Sequence, residues 1–208
     1  MRAVPADLTS DAAILKSLVL QRWRFTKLSQ QATNRLHQFL LAVFPEGEKD
    51  YFPQLVRVLP HYPTPREIRQ SGDLGRIRMS QRHRQGILTA ATSTVGVEND
   101  IYRWMIRELS LQRASALEKI KQLDTMLAEQ VRRHPYGPVL LSFPYLGPLT
   151  AATVIGITKD IASWPSKKKF RKALGVYNNY TQSGAGSMRT RRGKEGSRYG
   201  RRALFLAC

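Results

Sequence analysis

From Ser10 to Phe44 the apolar side chains fall at Ile14, Leu18, Phe25, Leu28, Ala32, Leu36, Phe39 and Val43. Steps of three, four or seven place them on one face of a long helix. Ser10, just before Asp11, is a suitable cap, and Pro45 with Gly47 ends the run. Such a helix takes about 35 residues, or roughly 50 Å of length, and cannot bury its stripe alone. A partner lies between Ile101 and Val131, where Ile101, Met105, Leu109, Leu117, Ile120, Leu123, Leu127 and Val131 keep helical spacing. Gln81 to Thr94 reads as an earlier part of that second helix, with Gly96 as a kink or break. Between them, Pro53, Pro60, Pro63 and Pro65 interrupt the segment 45–80, which should hold one or two short helices such as 65–70.

The expected architecture is therefore all-α. A long antiparallel helical hairpin, coiled-coil-like, occupies residues 1–134, and a small helical domain occupies 135–208. The boundary is the HPYGP stretch from His134 to Pro138. Beyond it, LLSFPYLGPLTAATVIGITKD reads as helix, short turn at Gly147, then a small-residue helix from Pro148. That is the form of a helix-hairpin-helix element. Its second helix starts with unpaired amides and a favourable dipole for phosphate, which singles out Gly147 and Thr150. Ala151, Ala152 and Gly156 allow a neighbouring helix to come close. Such an element usually carries glycine two positions before Gly147, where this chain has Tyr145.

Charge sharpens the second part. The chain has 34 Lys and Arg against 15 Asp and Glu, a net of +19. From Gln130 onward there are fifteen bases and two acids, Asp160 and Glu195, so +13 of the excess sits there. A concentrated basic excess is the footprint of a polyanion, with nucleic acid ahead of an anionic membrane because no segment joins a Lys/Arg face to a Trp/Leu face. In SWPSKKKFRKALGVY, Ser166 reads as an N-cap and Gly175 as the stop, with Lys167, Lys168 and Lys169 at the unfavourable end of the dipole. Contact with phosphate compensates that placement, although a solvated face carries the same charges. Gly196 and Ser197 read as a further helix start. Arg189, Arg191, Arg192, Lys194, Arg198, Arg201 and Arg202 supply a broad phosphate-binding surface. Ser183 lies in the acid-free loop before them. A flexible nucleic-acid-binding tail accounts for the same composition as a nucleophile does.

Other classes drop out. Cys208 is the one cysteine, which rules out an internal disulfide or a cysteine-based zinc site. His37, His61, His83 and His134 lack metal-ligand spacing, and neither a signal pattern nor a membrane-length apolar run is present. The chain reads as cytoplasmic, without a metal site or cofactor of its own.

The order FPYLGPLTAATVIGITKDIASWPSKKKFRKALGVY, then YTQSG, then RRGKEGSRYGRRALFLA, resembles the C-terminal domain of transposases of the insertion-sequence 110/116/902 family. Residues 15–40, ending in Asn-Arg-Leu and His-Gln-Phe-Leu, resemble the start of that family's helical linker. The resemblance implies DNA as partner and Ser183, in the Gln-Ser-Gly loop, as a nucleophile that becomes covalently linked to DNA. It implies a ribonuclease-H-like domain with an Asp-Glu-Asp-Asp site, so Mg²⁺ is expected only with that domain. It also implies, for some members, a structured guide RNA. The linker-like helix starts within the first fifteen residues and the last ends at FLAC. The expectation is thus a truncated transposase lacking the metal-binding domain, inactive alone, and a homo-oligomer through its helical region. A non-catalytic helix-hairpin-helix binding protein is the alternative, followed by a coiled-coil interaction protein. Tyr145 and Glu195 depart from the family's pattern, which has glycine at the first position and commonly a basic residue at the second.

Overall fold

A computed structural model describes residues 10–181, 189–192 and 195–206, with only the backbone described for 178–181, 189–192 and Leu206. The chain is all-α as expected, with nine helices among the described residues and one short antiparallel ribbon. In order these are α1 (Asp11–Val43), α2 (Pro45–Val58), α3 (Pro65–Ser71), α4 (Gln81–Ser93), α5 (Asp100–Arg133), α6 (Gly137–Ser142) and α7 (Pro148–Thr158). A 3-10 turn at Ile161–Ser163 leads to α8 (Lys167–Leu174), β1 (Asn178–Thr181), β2 (Arg189–Arg192) and α9 (Arg198–Leu206). Contacts group the residues into two compact units, Arg24–Ile120 and Met1–Trp23 with Lys121–Cys208. The grouping differs from a linear division at 134/135, because the first turns of α1 and the last turns of α5 belong with the C-terminal segment.

In the unit Arg24–Ile120, α1 and α5 run antiparallel. Lys119 Nζ lies 5.1 Å from the Phe25 ring centroid, and Arg113 Nε donates to Thr33 Oγ1 at 3.1 Å. Ala32, Leu36, Leu40 and Val43 from α1 enter one core with Ile106 and Leu109 of α5, Leu55, Ile68 and Ile87 of the shorter helices, and Leu59 at the end of α2. The apolar stripe of α1 is thus covered within the chain from Ala32 to Val43, while Leu28 is 38% exposed. Local signals set the helix ends. The Thr64 hydroxyl accepts from the Glu67 amide with Pro65 at the first helical position, and Ser80 caps α4 through the His83 amide. Asn99 Oδ1 accepts from the Tyr102 amide at the start of α5.

The stretch 81–94 forms a separate helix, α4, and Gly96 marks a complete break from α5. A Cβ on Gly96 would stand 2.0 Å from the Val43 carbonyl oxygen, and the next amide, Val97, donates to Ala42 O at 2.9 Å. The backbone passes so close to the end of α1 that no side chain fits at that position. Glu46, in the first turn of α2, secures the same connection by accepting from Thr94 Oγ1 at 2.6 Å and the Val95 amide at 3.1 Å.

In the second unit the Arg22 guanidinium meets both Asp124 oxygens, Nε to Oδ1 at 2.5 Å and Nη2 to Oδ2 at 3.1 Å, joining α1 to α5. Ala12, Leu15 and Val19 form its core with Leu127, Val131, Ala151, Ala152 and Ile155. The buried face of α1 here is one residue out of phase with the expected one: Ile14 is 38% exposed while Leu15 is 1%. The cause is α7. Its small side chains bring it close to α1, so that a Cβ on Gly156 would lie 3.0 Å from Lys16 Cβ. No described helix is long and apolar enough to cross a membrane.

Candidate nucleic-acid interface

The two basic helices of the second unit are each positioned by a local signal. At α8, the Ser166 hydroxyl accepts from the Lys169 amide at 3.3 Å, and Gly175 closes the helix at φ +81°. The eight residues KKKFRKAL between them present five cations. Lys167, Lys168 and Lys169 are exposed, and Lys168 Nζ lies 5.7 Å from the Tyr177 ring centroid. Phe170, between these lysines and Arg171, turns toward Trp164 in an edge-on contact at 5.6 Å. Trp164 in turn donates its indole N–H to Thr158 O at 2.9 Å, satisfying a carbonyl at the end of α7.

At α9, Ser197 is the cap: its Oγ accepts from the Gly200 amide at 3.1 Å and its carbonyl from the Arg201 amide at 3.1 Å. Gly200 is buried, and a Cβ there would lie 2.6 Å from Leu174 O and 2.9 Å from Ile157 Cδ1. Glycine is what lets α9 settle against α7 and α8. The arginines of α9 then separate by task. Arg198 stacks on the Tyr199 ring at 5.0 Å, and the exposed Arg202 lies 4.4 Å over Trp23 of α1. Trp23 and Tyr199 stand 6.0 Å apart, so two guanidinium groups flank a pair of aromatic rings. Arg201 turns the other way. Its Nε donates to Gly175 O at 3.2 Å and its Nη2 to Glu195 O at 3.3 Å.

Glu195 forms an ion pair with Lys172. The hydrogen bond that Lys172 donates to that carboxylate, then the carboxylate's charge, hold the ammonium above the usual lysine range. An acid that looks misplaced among bases thus has a partner on the neighbouring helix. Asp160, the other acid of the basic half, caps the 3-10 turn by accepting from the Ala162 amide at 3.0 Å. Among the described residues, no three His, Cys, Asp or Glu side chains gather as ligands for a metal ion.

Gly147 and Thr150 lie at the start of α7. Gly147 is exposed, at N-cap with no side chain to cap, and Pro148 follows at the first helical position. Thr150 is half-buried. Along the helix, Thr150 is roughly 10 Å and Gly147 roughly 15 Å from Ile157, where α9 contacts α7. Gly147 has an ordinary φ of −74°, whereas the special backbone belongs to Tyr145, at φ +68° and 85% exposed.

The ribbon between α8 and α9 is the one regular element that the apolar pattern did not foretell. β1 and β2 pair antiparallel, Asn178 with Arg192 and Thr181 with Arg189. Arg189, Arg191 and Arg192 therefore lie on β2, and only their backbone is described. Ser183 belongs to the connection 182–188 and, like Lys194, lies outside the described residues. Reasoning from sequence passed over Trp23, Tyr177 and Tyr199 as rings beneath the cations. The signal for Tyr199 was its place among arginines in SRYGRR, but nothing linear joins it to Trp23.

Residues 137–208, which hold α6 to α9, the ribbon and the Gln-Ser-Gly connection, match the model of the Transposase IS116/IS110/IS902 family. This segment is a domain of that family. Similarity extends past it: over 199 residues the chain is 23% identical to the Streptomyces coelicolor protein described as insertion element IS110 uncharacterized 43.6 kDa protein. That alignment takes in 85% of this chain, which spans about half (47%) of the relative's length. The matched family segment carries the α8 cations, the Lys172–Glu195 pair and the α9 arginines.

Proposed function

We propose that this chain is a DNA-engaging part of an IS110-type transposase and that Ser183 is its nucleophile. The observation that carries the reading is the family match over 137–208, which contains the Gln-Ser-Gly connection and the two basic helices that border it in the chain. Lys167, Lys168, Lys169, Arg198 and Arg202 are exposed on α8 and α9 and fit contacts with the phosphate backbone. Arg198 and Arg202 are braced on aromatic rings, which reduces the side-chain freedom lost on binding. Gly147 and Thr150, at the start of α7, fit a further phosphate contact through backbone amides.

In the reaction proposed, the Ser183 hydroxyl oxygen forms a bond to phosphorus while one bridging P–O bond of the strand breaks. The products are a phosphoserine ester and a free hydroxyl end, which takes up the proton from the serine. Guanidinium groups stabilise the negative charge of the pentavalent transition state. The resemblance assigns the metal-dependent part of the family's chemistry to the ribonuclease-H-like domain.

Two measurements test this. Five phosphate contacts predict that log K for duplex DNA falls with log salt at a slope of about −4 to −5. Charge-neutral variants at Lys167, Lys168 and Lys169 together should reduce that slope by about 3. With insertion-sequence end DNA, Mg²⁺ and a family ribonuclease-H-like domain supplied in trans, a denaturation-resistant protein–DNA adduct is expected, absent in Ser183→Ala. Salt-sensitive binding without any adduct would leave a non-catalytic binding module. Binding insensitive to salt would overturn the interface as well.

A further inference from the structure

The pair Asn178–Arg192 closes the ribbon at its base. Gly175 lies three residues before Asn178 in the chain and Glu195 three residues after Arg192. Those two carbonyls are the ones that Arg201 joins, at 3.2 and 3.3 Å. One guanidinium thus bridges the two chains at the base of the ribbon, where β1 leaves α8 and β2 returns to α9.

Other contacts converge on the same place. Lys172 pairs with Glu195 across it, and the Ser197 amide donates to Ala173 O at 2.8 Å. The Val176 amide reaches back to Arg171 O at 3.1 Å. Gly196 takes φ +84°, and a Cβ there would lie 1.9 Å from Lys172 O, so the returning strand lies directly on the end of α8. Arg201 is partly buried in this neck, unlike the exposed Arg202 beside it.

We propose that Arg201 is a positioning residue: it latches the neck of the ribbon and fixes the two chain ends from which the Ser183-bearing segment 182–188 departs, rather than contacting phosphate itself. The functional side of this inference rests on Ser183 being the nucleophile. The latch itself stands on the geometry of the neck.

A latch and a phosphate contact make different demands on the side chain. Two carbonyls some distance apart need the forked donors of arginine, which the single ammonium of lysine does not reproduce. A phosphate contact needs mainly the charge, which lysine keeps. The experiment compares Arg201→Lys, Arg201→Gln and Arg202→Gln in the full chain by amide hydrogen exchange and by the salt dependence of duplex DNA binding. For a latch, both Arg201 variants exchange the ribbon amides at 178–181 and 189–192 about tenfold faster than wild type, with α7 unchanged. The salt slope stays within about 0.5 of wild type in both, whereas Arg202→Gln lowers it by about 1 and leaves exchange unaltered. The proposal is overturned if Arg201→Lys exchanges as wild type does, or if Arg201→Gln lowers the slope by about 1 without changing exchange. Should both Arg201 variants lose their helical circular dichroism, Glu195→Gln and the swap Lys172→Glu with Glu195→Lys take over. Faster ribbon exchange in the first and recovery in the second are expected, and no change in the first overturns the latch. Failure of the wild type to bind DNA sinks the functional reading alone, because exchange still reports on the neck.

Discussion

The Arg202 guanidinium lies 4.4 Å over the Trp23 ring, which ties a cation of the last described helix to the first. Trp23 is half-buried, and its indole N–H has no hydrogen-bond partner among the described residues. Its contribution is therefore that of an aromatic surface rather than of a polar handle. Trp23→Phe should cost less than about 1 kcal/mol, because it keeps a ring beneath Arg202 and removes an unpaired donor. Trp23→Ala should cost about 3 kcal/mol and lower DNA affinity as well, since Arg202 loses its brace. Urea denaturation and DNA titration of the two variants check this, and equal losses from Phe and Ala would count against it.

Tyr145 stands in left-handed backbone at φ +68°, on the turn between α6 and α7, with its side chain exposed. Glycine would suit position 145 for a physical reason: the turn between α6 and α7 needs positive φ there, and Gly147, at φ −74°, does not supply it. A tyrosine there carries strain of about 1–2 kcal/mol. Glycine relieves the strain but gives back part of the gain through the freedom it adds to the unfolded chain. Tyr145→Gly should thus raise stability by about 0.5–1 kcal/mol, read as a higher urea midpoint with an unchanged slope. A lower midpoint would mean that the exposed ring makes a contact of its own.

These two residues also show where linear reading reaches its limit. The cap at Ser166, the stop at Gly175 and the start at Ser197 were legible because each depends on neighbours within four residues. The long helices were legible from their period. Their phase in the second unit was not, because Ile14 and Leu15 are both apolar, and the close approach of α7 at Gly156 decides which is buried. The ribbon stayed hidden because Asn-Asn-Tyr-Thr and Arg-Thr-Arg-Arg lack the apolar alternation of a half-buried strand. Arg201 and Arg202 are adjacent identical residues in the sequence, and only the fold shows that one faces two carbonyls and the other a ring.

Glu46 gives the molecule a defined response to acid. The Thr94 hydroxyl bond, then its own backbone amide and that of Val95, hold its carboxyl below the ordinary glutamate range. A carboxylate with a lowered folded-state pKa contributes stability above its unfolded pKa. That contribution fades as pH falls through the folded value. The connection between α4 and α5 should therefore loosen below about pH 4.5, the ordinary glutamate value. Thr94→Val removes the largest cause and should move the Glu46 titration, followed by carboxyl NMR, toward its ordinary value. Glu46→Gln should flatten this part of the stability–pH curve. An unmoved titration in Thr94→Val would show that the hydroxyl bond is not what holds the carboxylate.

Thr158, the last residue of α7, is 4% exposed and its hydroxyl has no partner among the described residues. It borders an apolar cleft of about 360 Å³ lined by Leu140, Val154, Phe170, Leu174 and Leu204. Its backbone carbonyl does have a role, accepting from the Trp164 indole, and a valine at this position keeps that bond. An unpaired buried hydroxyl costs about 1–3 kcal/mol relative to a satisfied one, and valine matches its shape without the polar atom. Thr158→Val should stabilise the chain by about 1 kcal/mol, with α7, α8 and the Trp164 contact unchanged. Thermal denaturation checks the sign. Loss of stability in Thr158→Val would show that the hydroxyl finds an acceptor in solution, and a bound water in the cleft would then be sought by NMR.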